Sequence, residues 1–215
     1  MLEHEIDELL KKHTFLKLTR KGDKYIITGP YAFKANIKGQ IVDDCFEVEV
    51  SFGEGYKQNL PVVKEIGGRI VKDIDKNHIN GDGTCCLGVD HAVKKLLGPN
   101  FTLLDFFNIA MTNYFAQYSL KEKLGYWPNG ESAHFTQGII DYYLESFKLN
   151  DFNSVIKFLQ DLVNMKKLPK GFQKCNCGCN KLVKNCPYQK KLKKAFIVGH
   201  DYNKELQQLE NYIGG

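Results

Sequence analysis

The spacing of hydrophobic positions shifts from helical to alternating and back to helical along the chain. In residues 2–13, Ile6, Leu9, Leu10 and His13 recur at helical intervals, with acidic groups early and lysines late, which suits the helix dipole. From Phe15 the apolar runs are short and rich in aromatic and branched residues. Phe15-Leu-Lys-Leu, Tyr25-Ile-Ile-Thr and the stretch from Tyr31 to Ile37 read as strands, separated by turns at Lys21-Gly-Asp and Gly29-Pro30. Phe46, Val48, Val50 and Phe52 then alternate with polar residues, the mark of a strand with one buried face. A turn-rich stretch with Tyr56, Pro61-Val-Val and Gly67-Gly68 surrounds one more short strand. From Asp90 the period is helical again, and residues 101–118 are apolar on most faces, which predicts a buried helix. The run Gly125-Tyr-Trp-Pro-Asn-Gly interrupts it. Further helices are expected over 133–148, 151–165 and 202–212, with a basic linker from Lys166 to Gly171 and a small Cys-rich, basic segment over 174–194.

The pattern predicts an α+β fold: an N-terminal helix, an antiparallel meander, then helices, with a small Cys-rich appendage. The 215 residues suffice for one large domain and an appendage. No apolar run is long enough to span a bilayer, and the amphipathic N-terminus is unlike a signal peptide, so a cytoplasmic protein that does not engage membranes is expected. Seven cysteines are present, four of them between Cys175 and Cys186. In a reducing compartment such crowding reads as metal or thiol chemistry before it reads as a disulfide framework. The net charge of +5 comes largely from the C-terminal third. It permits an acidic partner without arguing for nucleic acid, which is not expected; for the lysines around the C-terminal cysteines the two readings are contact with an acidic partner or nucleic acid and, more plainly, a solvated charged face. Neither G-x-x-x-x-G-K-[ST] nor G-x-G-x-x-G occurs, which argues against nucleotide-dependent activation of a carboxylate by this chain alone.

Candidate chemistry centres on Lys76 to Gly88, KNHINGDGTCCLG, where a His precedes a Gly-rich turn that leads into Cys85 and Cys86. A thiol placed after such a turn can serve as a nucleophile, and a nearby imidazole can stabilise its thiolate or an oxyanion. The opposing reading is packing, because free Cys is commonly buried. Asn80 and Asp82 read first as turn formers and then as accessory groups. Asp90, with His91, is a candidate lining residue or a helix cap. Glu131 and His134 lie in WPNGESAH, where Ser132 is a candidate N-cap and the two titratable groups are candidates to orient an incoming amine.

The ordered set of helix, meander, Pro-containing turn, Cys and helices over residues 1–120 resembles ubiquitin-conjugating (E2) enzymes, more closely the divergent bacterial E2-like proteins. Tyr56 to Val63 keeps the Tyr, one Pro and the terminal Val of a Tyr-Pro-x-x-Pro-Pro-x-Val-like segment. The family's His-Pro-Asn-Ile and Gly-x-x-Cys-Leu fall without gaps on Lys76 to Ile79 and Gly83 to Leu87. The resemblance thus implies Cys86 as the catalytic cysteine, with Cys85 at the preceding apolar position. His78 stands where the family has its oxyanion-stabilising Asn, and Gly88 where many eukaryotic members have an acidic residue.

The C-terminal cysteines resemble the small SEC-C zinc-binding motif, Cys-x-Cys-Gly-Ser-Gly-Lys…Cys followed by Cys or His. This implies structural zinc on Cys175, Cys177 and Cys186. Pro187 occupies the last ligand position, so either Cys179 or His200 is expected as the fourth donor. The expected organisation is an E2-like domain over 1–120, a helical extension packed on it over 121–169, and the zinc segment over 170–215.

What the resemblance implies is an acyl carrier. A partner protein's activated C-terminus forms a thioester with Cys86 and passes to an amine. The partner is a ubiquitin-like protein or a CD-NTase-like enzyme, as in CBASS-type anti-phage defence, with a separate E1-like enzyme as a candidate activator. No cofactor is needed for that chemistry. The alternatives are a non-catalytic E2-variant binding module and a Cys–His thiol hydrolase of such conjugates. The terminal Gly214-Gly215 is similar to the ends of ubiquitin-like modifiers, although nothing else in the chain is modifier-like.

Overall fold

The computed structural model describes residues 2–128 and 135–213. Glu131, Ser132, His134, Gly214 and Gly215 therefore lie outside the described residues. The chain forms two compact units, 1–132 and 133–215.

The first unit is α+β. Helix α1 (Leu2–Lys12) precedes a four-stranded antiparallel sheet in the order β1 (Lys17–Lys21), β2 (Lys24–Ile37), β3 (Gln40–Phe52), β4 (Val62–Glu65). The alternation in β3 points Val42, Phe46, Val48, Val50 and Phe52 into the core. The turn expected at Gly29-Pro30 is instead the middle of β2, whose pairing with β3 continues unbroken through Gly29 opposite Val48 and Pro30 opposite Glu47. Two features make this possible. Gly29 has φ +132°, and a Cβ there would lie 2.7 Å from the Phe15 carbonyl oxygen, so only glycine fits. Pro30 lies beyond the end of β1, where a missing N–H disturbs no pairing on that side.

After the sheet come α2 (Ile74–Asn77), α3 (Asp90–Leu97) and a helical run whose ends are α4 (Leu103–Asp105) and α5 (Thr112–Leu124). Its middle, Phe106–Met111, winds as a π-helix. The Phe107 carbonyl accepts the Thr112 N–H of that wider turn and also Tyr31 Oη at 2.7 Å and Thr112 Oγ1 at 3.0 Å, which satisfies a buried phenol and locks the helix to β2. Phe46 stacks on Phe115 with centroids 4.7 Å apart. Arg69 bridges β3 and α5: it pairs with Asp44 at 2.8 Å and Glu122 at 2.5 Å, while its guanidinium lies 4.2 Å from the Phe46 ring centroid. That bridge anchors the segment leading to the cysteine loop.

The second unit contains α6 (Phe135–Phe147), α7 (Phe152–Val163), α8 (Pro187–Phe196) and α9 (Asn203–Ile213). An Asp151–Ser154 capping box starts α7, whose apolar face buries Val155, Phe158, Leu159 and Leu162. The helices expected as an extension of the first domain fall in this unit with the Cys-rich segment. The reason is visible in the packing: Phe158 meets Tyr188 edge-on at 6.0 Å, and Tyr188 Oη donates to Asp161 at 2.6 Å, joining α7 to α8. Helix α8 did not stand out in the sequence because its apolar residues are few and lysines fill the rest.

Candidate functional site

In the first unit the loop between β4 and α3 is built from backbone pairing. Asp73 caps α2 by accepting from Lys76 N–H at 2.9 Å. His78 ends it in the left-handed conformation, φ +56°, a region in which His and Asn are enriched among non-glycine residues. The chain then turns through Asn80 to Gly83 and runs back along its own path. Asn80 N–H donates to the Thr84 carbonyl at 2.8 Å, Cys86 N–H to the His78 carbonyl at 2.7 Å, and Cys85 N–H to the Val63 carbonyl at 2.7 Å. The returning segment is thereby laid beside β4.

Because successive side chains of an extended segment face opposite ways, the two thiols have different surroundings. Cys85 is buried, 8% exposed, and burial pushes its thiol up to about 12. Cys86 is half-buried. Burial raises its pKa too, the nearby Asp90 carboxylate adds to the rise, and the Gly88 N–H offsets part of it. The thiol therefore rests protonated at neutral pH, and it lies just ahead of the first residue of α3, Asp90.

Asn80 and Asp82 are engaged in the turn. Thr84 donates through N–H to Asp82 at 3.0 Å and through Oγ1 at 2.6 Å, and Asn80 Nδ2 donates to Thr84 Oγ1 at 2.8 Å. Asp90 is half-buried beside Cys86, and His91 is fully buried within α3. The backbone joins His78 to Cys86, while the His78 imidazole packs edge-on against Trp127 with centroids 4.5 Å apart.

The sequence reading missed what holds α2 in place. Trp127 Nε1 and Lys121 Nζ both donate to the Lys76 carbonyl, at 2.9 and 2.7 Å, and Tyr114 Oη donates to the Asn77 carbonyl at 2.8 Å. Lys121 also donates to the Asn77 side chain, whose amide reaches the Val71 carbonyl at 2.9 Å. The chain's one Trp was a signal, because a buried indole N–H needs an acceptor.

In the second unit the four cysteines converge. The Sγ atoms of Cys175, Cys177, Cys179 and Cys186 all lie within 4.8 Å of one another. Three of the separations are 3.1, 3.4 and 3.5 Å, and no disulfide is formed. A tetrahedral metal with sulfur ligands at about 2.3 Å sets its sulfurs roughly 3.8 Å apart, so small outward shifts give that geometry.

Cys175 N–H pairs with the Lys181 carbonyl at 2.9 Å and Val183 N–H with the Gln173 carbonyl at 2.9 Å. Between them Gly178 and Asn180 take positive φ and fold the chain tightly. Cys186 caps α8 and accepts from Gln189 N–H. Burial pushes the Cys186 thiol up, but that N–H and the adjacent thiols outweigh burial and hold it down at about 7. Pro187 is the first residue of α8 and offers no donor atom, and Cys179 from the preceding loop completes the set. Of the two candidates for the fourth position, His200 is placed elsewhere: its Nε2 lies 3.2 Å from Glu205 Oε1, and its ring packs against Tyr202.

Among the described residues, no helix is long and apolar enough to cross a membrane. No family model, curated protein or solved structure matches this chain.

Proposed function

We propose that the first unit is an E2-like acyl carrier whose nucleophile is Cys86. The observation that carries this reading is the asymmetry of the adjacent thiols. Cys85 is sealed in the core, while Cys86 is accessible and is fixed by one hydrogen bond to the His78 backbone. The left-handed turn at His78 is one that Asn and His both adopt readily, which gives a physical reason for His at the family's Asn position.

In the first step Cys86 Sγ loses its proton and bonds to the carbonyl carbon of a partner's C-terminus, already activated as an acyl adenylate or a thioester. The activating group leaves with the bonding electrons. In the second step an amine nitrogen attacks the thioester carbonyl, the C–S bond breaks, the sulfur leaves as thiolate and the amine proton passes to base. The protonated resting thiol suits a carrier that reacts only when docked. His78 acts in the second step as donor to the oxyanion.

The partner class is a protein with a flexible C-terminus, such as a ubiquitin-like protein or a CD-NTase-like enzyme of a CBASS-type system, charged by an E1-like enzyme. Zinc is the metal for the four thiolates: the donors are soft, four in number and within 4.8 Å of one another, and four sulfur ligands leave no open position for chemistry. Its role is structural.

The test is trapping with an activated C-terminal thioester of a candidate partner. Wild type is expected to give an adduct reversed by thiols, Cys86→Ser either no adduct or a thiol-resistant ester, and Cys85→Ala a wild-type yield. Equal loss in both variants would overturn the assignment. One observation favours a second reading, the non-catalytic binding module: burial and Asp90 both disfavour the Cys86 thiolate. Tight partner binding with no adduct in any variant would select it.

A further inference from the structure

We propose that the lysine-rich face of the second unit binds single-stranded nucleic acid, with lysines on the phosphates and a base stacked on Phe172.

Between Leu162 and His200 the chain has ten lysines and no Asp, Glu or Arg. The whole chain carries +5, so the rest of it carries 5 − 10 = −5. The net positive charge of the chain therefore resides in this one segment. Nine of the ten lysines are exposed. Among the described residues none of the ten pairs with a carboxylate. That many unneutralised cations in one short segment repel one another, and a polyanion that releases its counterions relieves the repulsion.

The charges are ordered by the fold. Helix α8 buries Leu192 and Ala195 and turns Lys190, Lys193 and Lys194 outward. The cysteine turn adds Lys170, Lys174 and Lys184, with Lys184 N–H donating to the Gly171 carbonyl at 3.0 Å. Charge alone would fit any polyanion; Phe172 narrows the class. It is 71% exposed on that turn, with Lys170 Nζ 5.9 Å from its ring centroid. An exposed aromatic amid lysines is the stacking platform of sequence-tolerant single-strand binders.

The residues that follow Phe172 in the chain, Gln173 and Lys174, line a cavity of about 250 Å³ with Pro169, Asn176, Val183 and Gln189. It sets three amides, suited to base edges, next to one ammonium. The cations in this segment are all lysine, which meets phosphate as a point charge and lacks the planar fork that reads guanine, so binding is expected to be independent of sequence. A duplex hides its base faces from Phe172, whereas every nucleotide of a single strand has a flat ring to offer it and a run of acidic residues has none.

The experiment is fluorescence anisotropy on the full chain under reducing conditions. The probes are a labelled oligo(dT) and oligo(U) of about twenty nucleotides, the corresponding duplex, and labelled polyglutamate of similar charge. Single strands are expected to bind at 50 mM salt and weaken steeply towards 200 mM, with a slope of log affinity near −0.7 per neutralised phosphate. Phe172→Ala should lower single-strand affinity roughly five- to 150-fold. It should leave polyglutamate binding unchanged.

The exposed triple variant Lys190→Glu, Lys193→Glu, Lys194→Glu should lower single-strand affinity at least tenfold, with its circular dichroism unchanged as the check that it folds. No single-strand binding at 50 mM salt would overturn the proposal. So would polyglutamate binding as tightly as single strands with Phe172→Ala indifferent to both, which would assign the face to an acidic protein. Duplex bound more tightly than single strand would also overturn it.

Discussion

The two cysteine-bearing regions hold their thiols by different means. Cys85 and Cys86 are fixed from a distance: by Val63 in β4, and through α2 by Tyr114 and Lys121 in α5 and by Trp127. Behind them stands a core of sheet and helices that would exist without either thiol. The four C-terminal cysteines are fixed by neighbours within the same short turn. Between residues 166 and 186 only Cys175 and Cys186 are buried, so these cysteines are themselves the core of that segment. A site supported by a large core can leave one side chain partly exposed without cost to the fold. A site that makes its own core needs something to bind, and metal coordination then becomes part of folding.

The largest effect expected from this contrast comes from chelation. Structural zinc contributes on the order of 10 kcal/mol in small zinc peptides. Removing it, or substituting Cys175→Ser, is expected to abolish hydrogen-exchange protection at Cys175 and Val183 N–H while the alkylation rate of Cys86 stays unchanged. Metal analysis should give one zinc per chain in the wild type. Protection that survives chelation would show that the turn has a core of its own.

Next in size is His78→Ala, expected to slow discharge of a preformed Cys86 thioester to an amine by roughly 10²–10³. Thioester formation should change little. Single-turnover discharge separates the two steps, and an unchanged rate would remove His78 from the chemistry.

Two pH dependences follow from the surroundings of single groups. With its folded pKa raised to about 12, Cys85 contributes stability fully below its unfolded value and loses it as pH climbs. Against an unfolded pKa of about 8.5, the loss at pH 10 is about 2 kcal/mol. Denaturant titrations of wild type and Cys85→Ala at pH 7.5 and 10 should show the wild type losing that much more.

Asp44 runs the other way, and its effect is smaller. Arg69, with help from Ser119 and the Cys45 N–H, outweighs burial and holds its carboxyl down at about 2. Its contribution is present above about pH 4 and is lost as pH falls towards 2, about 1–2 kcal/mol once solvent screening is allowed for. Asp44→Asn should flatten the acid limb of a stability–pH curve by that amount, and an unchanged acid limb would mean that solvent already screens the bridge.

The parts of this molecule that were legible in the sequence are those written in short-range patterns. The alternation at Phe46, Val48, Val50 and Phe52 predicts β3, and the spacing at Ile6 and Leu9 predicts α1, because each pattern marks one buried face. The crowding of four cysteines between Cys175 and Cys186 was legible as a candidate metal or thiol site, and the resemblance to the SEC-C motif implied Cys175, Cys177 and Cys186 as a set. The continuity of β2 was not, because Gly29-Pro30 has the composition of a turn, and only the approach of the Phe15 carbonyl shows why a glycine stands in a strand. Nor could spacing reveal the hold of Trp127 and Lys121 on the Lys76 carbonyl, which joins residues 51 and 45 positions apart. Helix α8 was obscured by its lysines, and His200 as a metal donor was a suggestion of proximity along the chain that the buried contact with Glu205 removes.

The return path after the Asn80–Gly83 turn carries an evolutionary consequence. Because its side chains alternate between core and solvent, the length of that turn sets a parity: loss of one residue ahead of Thr84 would exchange the surroundings of the two thiols, burying Cys86 and presenting Cys85. With cysteine at both positions, a nucleophilic group would remain at the surface after such a shift, although one residue out of step with His78. A chain with a single cysteine there would lose its thiol to the core in one event. The pair therefore keeps one thiol at the surface of this loop through a length change that would otherwise bury it.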